Sequence, residues 1–260
     1  MGLINSGMTI IDFDETYLAQ TKLHRYPHER LDFRNLEHVN LFCEEESLQT
    51  LQMQLHRRRQ KGITLIGSGN YHYVTYLLLK EISNPFTLVL FDNHPDLGSE
   101  QEHDQVLSCG SWVSFALSNI PLLQQVVIIG PTVAFAQNST HSRTVIFPFD
   151  GVHHYSLPFI LSSIPTNQVY ISIDKDVLRK SEVLTNWDQG VMGIHTLKQM
   201  LEAILKSKQA EGVDICGELR LSPIEFIQPS YQSIIQKNEN ANLQLIQICL
   251  KASETHTKGA

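Results

Sequence analysis

Asp92, His94 and Asp96 alternate directly after the apolar run Leu88 to Phe91. In an extended chain residues two apart project to one side, so the spacing predicts three ligand-type side chains facing the same way at the end of a buried strand. Asp174 and Asp176 repeat the pattern after the run Val169 to Ile173, with only Lys175 between them to offset their charge. Read singly, each cluster admits a plainer account, with Asp92 and Asp174 as turn formers and His94 as a partly exposed loop residue. Two clusters of matching geometry favour one shared site, because unpaired acids rarely gather in a protein interior. Four carboxylates at one sheet edge repel one another unless protonated or neutralised, and a pair of divalent cations supplies that neutralisation.

The elements that must position these residues are legible as apolar runs. They recur at Met8 to Phe13, Ile63 to Ile66, Thr87 to Phe91, Gln125 to Ile129, Thr144 to Phe149, Gln168 to Ile173 and Val213 to Cys216. Most are apolar at consecutive positions, as strands covered on both faces must be. Helical periodicity lies between several of them, from Leu48 to Arg59, from Tyr73 to Ile82, and at Leu197, Met200, Leu201, Ile204 and Leu205. This alternation predicts an α/β fold, a three-layer α/β/α sandwich with a mainly parallel sheet, in which ligands bind beyond the carboxyl ends of the strands. The polar stretch Gln236 to Ala241 reads as a loop before a last amphipathic helix. No linker, repeat or low-complexity tract divides the chain, so residues 1–260 are expected to form a single domain.

Composition narrows the function classes. With 27 acidic against 20 basic residues the net charge is -7, and no basic cluster exceeds Arg57-Arg58-Arg59, which argues against nucleic acid as a partner. The longest apolar stretch, Val126 to Ala136, is broken by Gly130, Pro131 and Thr132, so no membrane span is expected. Cys43, Cys109, Cys216 and Cys249 are scattered without paired spacing, and the N-terminus lacks a basic region followed by an apolar core; a reduced, cytoplasmic setting fits both.

At these residues the chain resembles the ureohydrolase family, which includes arginase and agmatinase and shares its fold with the histone-deacetylase-like enzymes. Asp92-Asn93-His94-Pro95-Asp96 is similar to the family's DAHxD motif, and Ser172-Ile173-Asp174-Lys175-Asp176 to its SxDxD motif. Gly67-Ser68-Gly69-Asn70-Tyr71-His72 resembles, with one extra residue, the GGDH segment that contributes a further histidine. The likeness covers roughly positions 62 to 220. It implies that His72, Asp92, Asp96 and Asp174 hold one metal and that Asp92, His94, Asp174 and Asp176 hold the second, with Asp92 and Asp174 bridging. Manganese is the implied ion, and an oxygen-rich set with one imidazole per ion suits it. The alternative for His72 is a residue capping the helix that follows.

Departures from the family pattern bear on substrate. Cys109 stands where the family places a proton-shuttling histidine, and His103, in the preceding loop, is a candidate substitute. Cys109 otherwise reads as a small buried hydrophobe. Glu218, at the end of Asp214-Ile215-Cys216-Gly217-Glu218, resembles the acid that pairs with a guanidinium group, although Gly217 shifts its register; the alternative is a solvent-facing Glu218 paired with Arg220. The loop Thr185 to Gly193 carries Trp187 and Asp188, an apolar wall and a carboxylate suited to an amine or guanidinium. His153 and His154 lack a matching carboxylate pattern and read as loop residues.

The resemblance therefore implies a metal-dependent hydrolase in which a hydroxide bridging two ions attacks a C–N bond of a small guanidino or amidino compound. Asp96 would relay the proton, and His103 or Cys109 would protonate the leaving nitrogen. The expected partner is a small cationic guanidino or amine-containing substrate, and homo-oligomeric assembly is left open. Two alternatives stand beside this reading: a single-metal amide hydrolase or deacetylase using Asp92, His94 and Asp174, and a metal-binding member of the fold without turnover.

Overall fold

The computed structural model describes residues 7–98, 106–138 and 141–257. Eight strands run in chain order: β1 (Met8–Asp12), β2 (Glu29–Asp32), β3 (Ile63–Gly67), β4 (Phe86–Phe91), β5 (Leu123–Ile129), β6 (Thr144–Phe147), β7 (Gln168–Asp174) and β8 (Gln209–Cys216). They form one sheet in the order β2-β1-β3-β8-β7-β4-β5-β6, and every pairing is parallel. Seven of the strands coincide with apolar runs. β2 does not, because its sequence Glu-Arg-Leu-Asp belongs to a sheet edge and none of it is fully buried.

Helices cover both faces: α1 (Glu45–Arg57), α2 (Val74–Leu79), α3 (Trp112–Asn119), α4 (Val133–Asn138), α5 (Leu157–Ser162), α6 (Ile194–Ser207), α7 (Pro223–Ile227) and α8 (Pro229–Thr257). Alternation along each strand divides the core in two. Leu88 and Leu90 of β4 share one cluster with Leu51 and Leu55 of α1, Val74 and Leu77 of α2, and Val113 and Leu117 of α3. Val89 and Phe91 share the other with Leu197, Leu201 and Ile204 of α6 and Leu245 and Ile246 of α8. The chain is thus the expected α/β/α sandwich, with α6 burying the face that its i, i+3, i+4 spacing defines. No described helix is long and apolar enough to cross a membrane.

One sequence expectation is corrected. The polar stretch Gln236 to Ala241 is not a loop but lies inside the 29-residue helix α8. Its Asn238 and Glu239, and Asn242 one residue beyond it, are buried. A polar tract inside a helix imitates a loop when those side chains have hydrogen-bond partners in the interior, and here they do.

The sheet order places the site. Strands β3, β8, β7 and β4 are successive neighbours, but β4 follows β3 in sequence, so the chain crosses over two positions later filled by β7 and β8. Connections on either side of that crossover diverge and leave a crevice at the carboxyl ends of these four strands.

Candidate metal centre

The segment after β4 does not continue as an extended strand. Asp92 Oδ1 accepts from His94 N at 2.7 Å, folding the chain into a turn, and Asp96 adopts a left-handed φ of 50°. Asp96 is held by α3, whose Val113 N donates to its carbonyl at 3.1 Å and whose Trp112 Nε1 donates to its Oδ2 at 2.6 Å. The three side chains therefore converge through a folded loop rather than through the period-two geometry of a strand.

The end of β7 is built in the same way. Asp174 Oδ1 accepts from Asp176 N at 2.8 Å, capping a single 3-10 turn at Lys175–Val177 that swings Asp176 toward the first cluster. There Asp176 Oδ1 accepts from Asn93 N at 3.0 Å, and Asp176 Oδ2 lies 2.8 Å from His94 Nδ1. Gly217, at φ 82°, follows β8 so closely that a Cβ would collide with Asp174 Oδ1, which only glycine avoids.

His72 lies between the 3-10 turn Gly69–Tyr71 and α2, and its side chain does not cap that helix. Its Nε2 is 2.9 Å from Ser172 Oγ, and Ser172 Oγ donates to Asp214 Oδ1 at 2.7 Å. Because the serine proton is directed to Asp214, Ser172 accepts from His72 Nε2–H, which turns Nδ1 toward the carboxylates. Nδ1 is 3.3 Å from Asp92 Oδ2, 3.3 Å from Asp96 Oδ2 and 3.6 Å from Asp174 Oδ2.

Six residues named from the sequence thus meet at one point: His72, Asp92, Asp96, Asp174 and Asp176, all buried, and His94, which is partly exposed. Their ligand atoms fall into compact groups of His72, Asp92 and Asp96 and of Asp92, His94 and Asp176, with Asp92 in both, while Asp174 groups with His72 and Cys216. Asp92 Oδ2 is buried and has no hydrogen-bond partner. Burial raises all four acids above the ordinary carboxylate range, with Asp96 adding to the effect on Asp92 and Asp176 to that on Asp174. Asp176 reaches about 7 through burial and the charge of Asp92. Burial lowers His94, but its hydrogen bonds with Asp176 and Asp92 prevail and lift it to about 11. Crowded, desolvated acids with an orphaned oxygen and an imidazole nitrogen aimed among them fit divalent cations, which would neutralise the charge and use that oxygen.

Other sequence candidates have different surroundings. Glu218 is neither solvent-facing nor paired with Arg220: it is 1% exposed and forms an ion pair with the buried Lys175. Gln20 Nε2, Asn238 Nδ2 and Asn242 Nδ2 donate to its two oxygens at 2.9, 3.1 and 2.6 Å. With four donors on two oxygens, this carboxylate is committed inside the protein. Lys175 is likewise spent on Glu218 and does not offset the neighbouring aspartates. The partly buried Cys109 senses Asp96, His72 and Asp174 electrostatically; burial, and then Asp96, push its thiol up to about 12. His103 lies outside the described residues.

The loop from Thr185 to Gly193 packs on the site. Trp187 Nε1 donates to Asn70 Oδ1 at 2.9 Å, its ring lies 6.0 Å from that of His94, and Asp188 O accepts from Asn93 Nδ2 at 3.0 Å. Gly190 N donates to Asp176 O at 2.7 Å. The Asp188 side chain is exposed. His153 is an exposed loop residue paired with Asp150, and His154 is exposed beside it. The buried supports Asp214, Trp112 and Lys175 had weak sequence signals, the clearest being an acid, Asp214, inside the apolar run Val213 to Cys216.

The arginase family model matches residues 9–216, well over half of the chain. The chain belongs to the arginase family. An uncharacterized protein of Thermotoga maritima is 33% identical over 185 residues, 71% of this chain and 66% of that protein, so the match spans just under two thirds of the relative's length. Among solved structures, proclavaminate amidino hydrolase from Streptomyces clavuligerus superposes with a TM-score of 0.65 at 14% identity, covering 94% of this chain and 92% of that one. Agmatine ureohydrolase of Thermoplasma volcanium gives 0.65 at 12% identity over 99% and 93%. Formimidoylglutamase from Bacillus subtilis gives 0.63 at 14% identity over 95% and 86%. At these identities the likeness is one of fold.

Proposed function

We propose that this protein is a metal-dependent hydrolase that cleaves a C–N bond of a small guanidino or amidino compound. Two divalent ions, of the manganese class by their oxygen-rich ligands, would bind at the strand ends. His72, Asp92, Asp96 and Asp174 would hold the inner ion and Asp92, His94, Asp174 and Asp176 the outer one. The observation that carries this reading is buried Asp92, shared by two compact groups of ligand-type side chains, with an Oδ2 that has no hydrogen-bond partner. Bound divalent ions lower the pKa of water and polarise a trigonal carbon.

The chain's own groups orient and move protons. Ser172 and Asp214 fix the tautomer of His72. Trp112 holds Asp96 by Oδ2, leaving Oδ1 as the proton acceptor, and burial raises its basicity. His103 and Cys109 are the candidates to protonate the leaving nitrogen; the high pKa of the thiol keeps it in the proton-bearing form. Trp187 limits access of water from the side of His94. Glu218 has no part in substrate binding, so a cationic substrate is attracted by the acidic site as a whole.

A panel of guanidino and amidino compounds tests the assignment with metal-loaded protein. Release of urea or of the corresponding amide from one of them, reduced on the order of 100-fold or more in Asp176→Ala, supports it. Acetate released from acetylated amines with no activity on the guanidino panel supports an amide hydrolase instead. A metal-replete protein inert on both panels supports a binding role.

A further inference from the structure

A third group of ligand atoms lies at the same strand ends: His72, Asp174 and Cys216, all buried, with one atom from each lying within 4.8 Å of the others. We infer that Cys216 is a metal ligand and that the inner position therefore selects a thiophilic divalent ion of the zinc or cobalt class. This rests on the reading that divalent ions bind here, and it replaces manganese at one of the two positions.

The fold brings Cys216 to the ion. It is the last residue of β8, which lies between β3 and β7, and it is in register with Gly67 of one and Asp174 of the other. Its Sγ is 3.2 Å from Asp174 Oδ2, and that same oxygen is 3.6 Å from His72 Nδ1. Sulfur, nitrogen and oxygen this close together could share one ion, since metal–sulfur bonds are about 2.3 Å and metal–nitrogen and metal–oxygen bonds about 2.0–2.2 Å. The left-handed turn at Gly217 presses this end of β8 against Asp174. Asp92 Oδ2, which makes no hydrogen bond, lies 3.3 Å from His72 Nδ1, so a further oxygen faces the same imidazole atom. A thiolate prefers zinc or cobalt over manganese, whereas the outer group of Asp92, His94 and Asp176 contains no sulfur. On coordination the thiol proton leaves to solvent and sulfur donates an electron pair to the ion; no oxidation is involved.

Cobalt titration of the metal-free, full-length protein separates the possibilities. Visible d–d absorption reports bound cobalt, and near-ultraviolet charge transfer reports cobalt bound to sulfur. Wild type should show both; Cys216→Ser and Cys216→Ala should retain the visible bands and lose the charge-transfer band, while Cys109→Ser should keep both. Zinc should displace manganese at lower concentration in wild type than in Cys216→Ser, because only wild type adds a thiolate to the site. Visible bands without charge transfer in wild type, or charge transfer persisting in both Cys216 variants, would overturn the inference and leave the metal site standing. Failure to bind cobalt, zinc or manganese at all would overturn the metal reading itself.

Discussion

The chemistry of a proposed ligand such as His72 is set by residues that would never touch an ion. The relay through Ser172 to Asp214 fixes which nitrogen carries the proton. Ser172→Ala removes that control while leaving every proposed ligand in place, so metal affinity should fall about 10- to 100-fold with little loss of helix and sheet content. Isothermal titration of the metal-free variant, checked by circular dichroism, measures both. Unchanged affinity would show that the relay is structural only.

Proton linkage gives a second prediction at this scale. The native protein holds a proton on Asp176 up to about pH 7, whereas the ordinary value is 3.8. Between those values the native state binds more protons than the unfolded chain, so metal-free stability falls as pH rises through that window. His94, lifted from 6.5 to about 11, extends the same sign upward. Divalent ions compete with these protons, so metal-loaded protein should follow the opposite slope. Denaturation curves between about pH 4 and 8, with and without metal, test the pair of signs; parallel slopes would contradict them.

At the scale of elements, the strands were legible and the turns after them were not. Consecutive burial wrote β4 and β7 plainly into the sequence, and the acids after them pointed to a site. The means of convergence was hidden, because the Asp92–His94 turn, the left-handed Asp96 and the capped turn at Lys175 depend on hydrogen bonds that no apolar pattern reports. The burial of Glu218 was hidden for a related reason. Its partners come from α8, from the Gln20 region and from the turn after β7, far apart in sequence, and the polar residues of α8 looked like a loop for want of visible partners.

That buried cluster makes its own prediction. Lys175→Met strands a buried carboxylate and should destabilise the fold by about 3–5 kcal/mol, with Lys175→Met/Glu218→Gln recovering much of the loss. Urea denaturation measures it. Glu218→Gln should change stability without changing KM for a substrate that wild type turns over; a large KM increase at unchanged stability would return Glu218 to the binding site.

For the whole molecule, a parallel sheet with a crossover between β3 and β4 leaves one crevice, and the chemistry-bearing residues of β3, β4, β7 and β8 all reach it. Family membership, the sandwich fold and the six converging residues follow one another. The choice of substrate does not, because it depends on the loop surface over the site, including the exposed Asp188, which the fold itself does not dictate. Binding energy at this crevice is coupled to folding, so removing metal should lower the melting temperature, and Asp92→Ala should abolish that difference. The most direct test is elemental analysis of protein purified with manganese and zinc supplied. About two ions per chain in wild type, falling to below one in Asp92→Ala, is the predicted result; no bound metal, or a metal content that Asp92→Ala leaves unchanged, would contradict it.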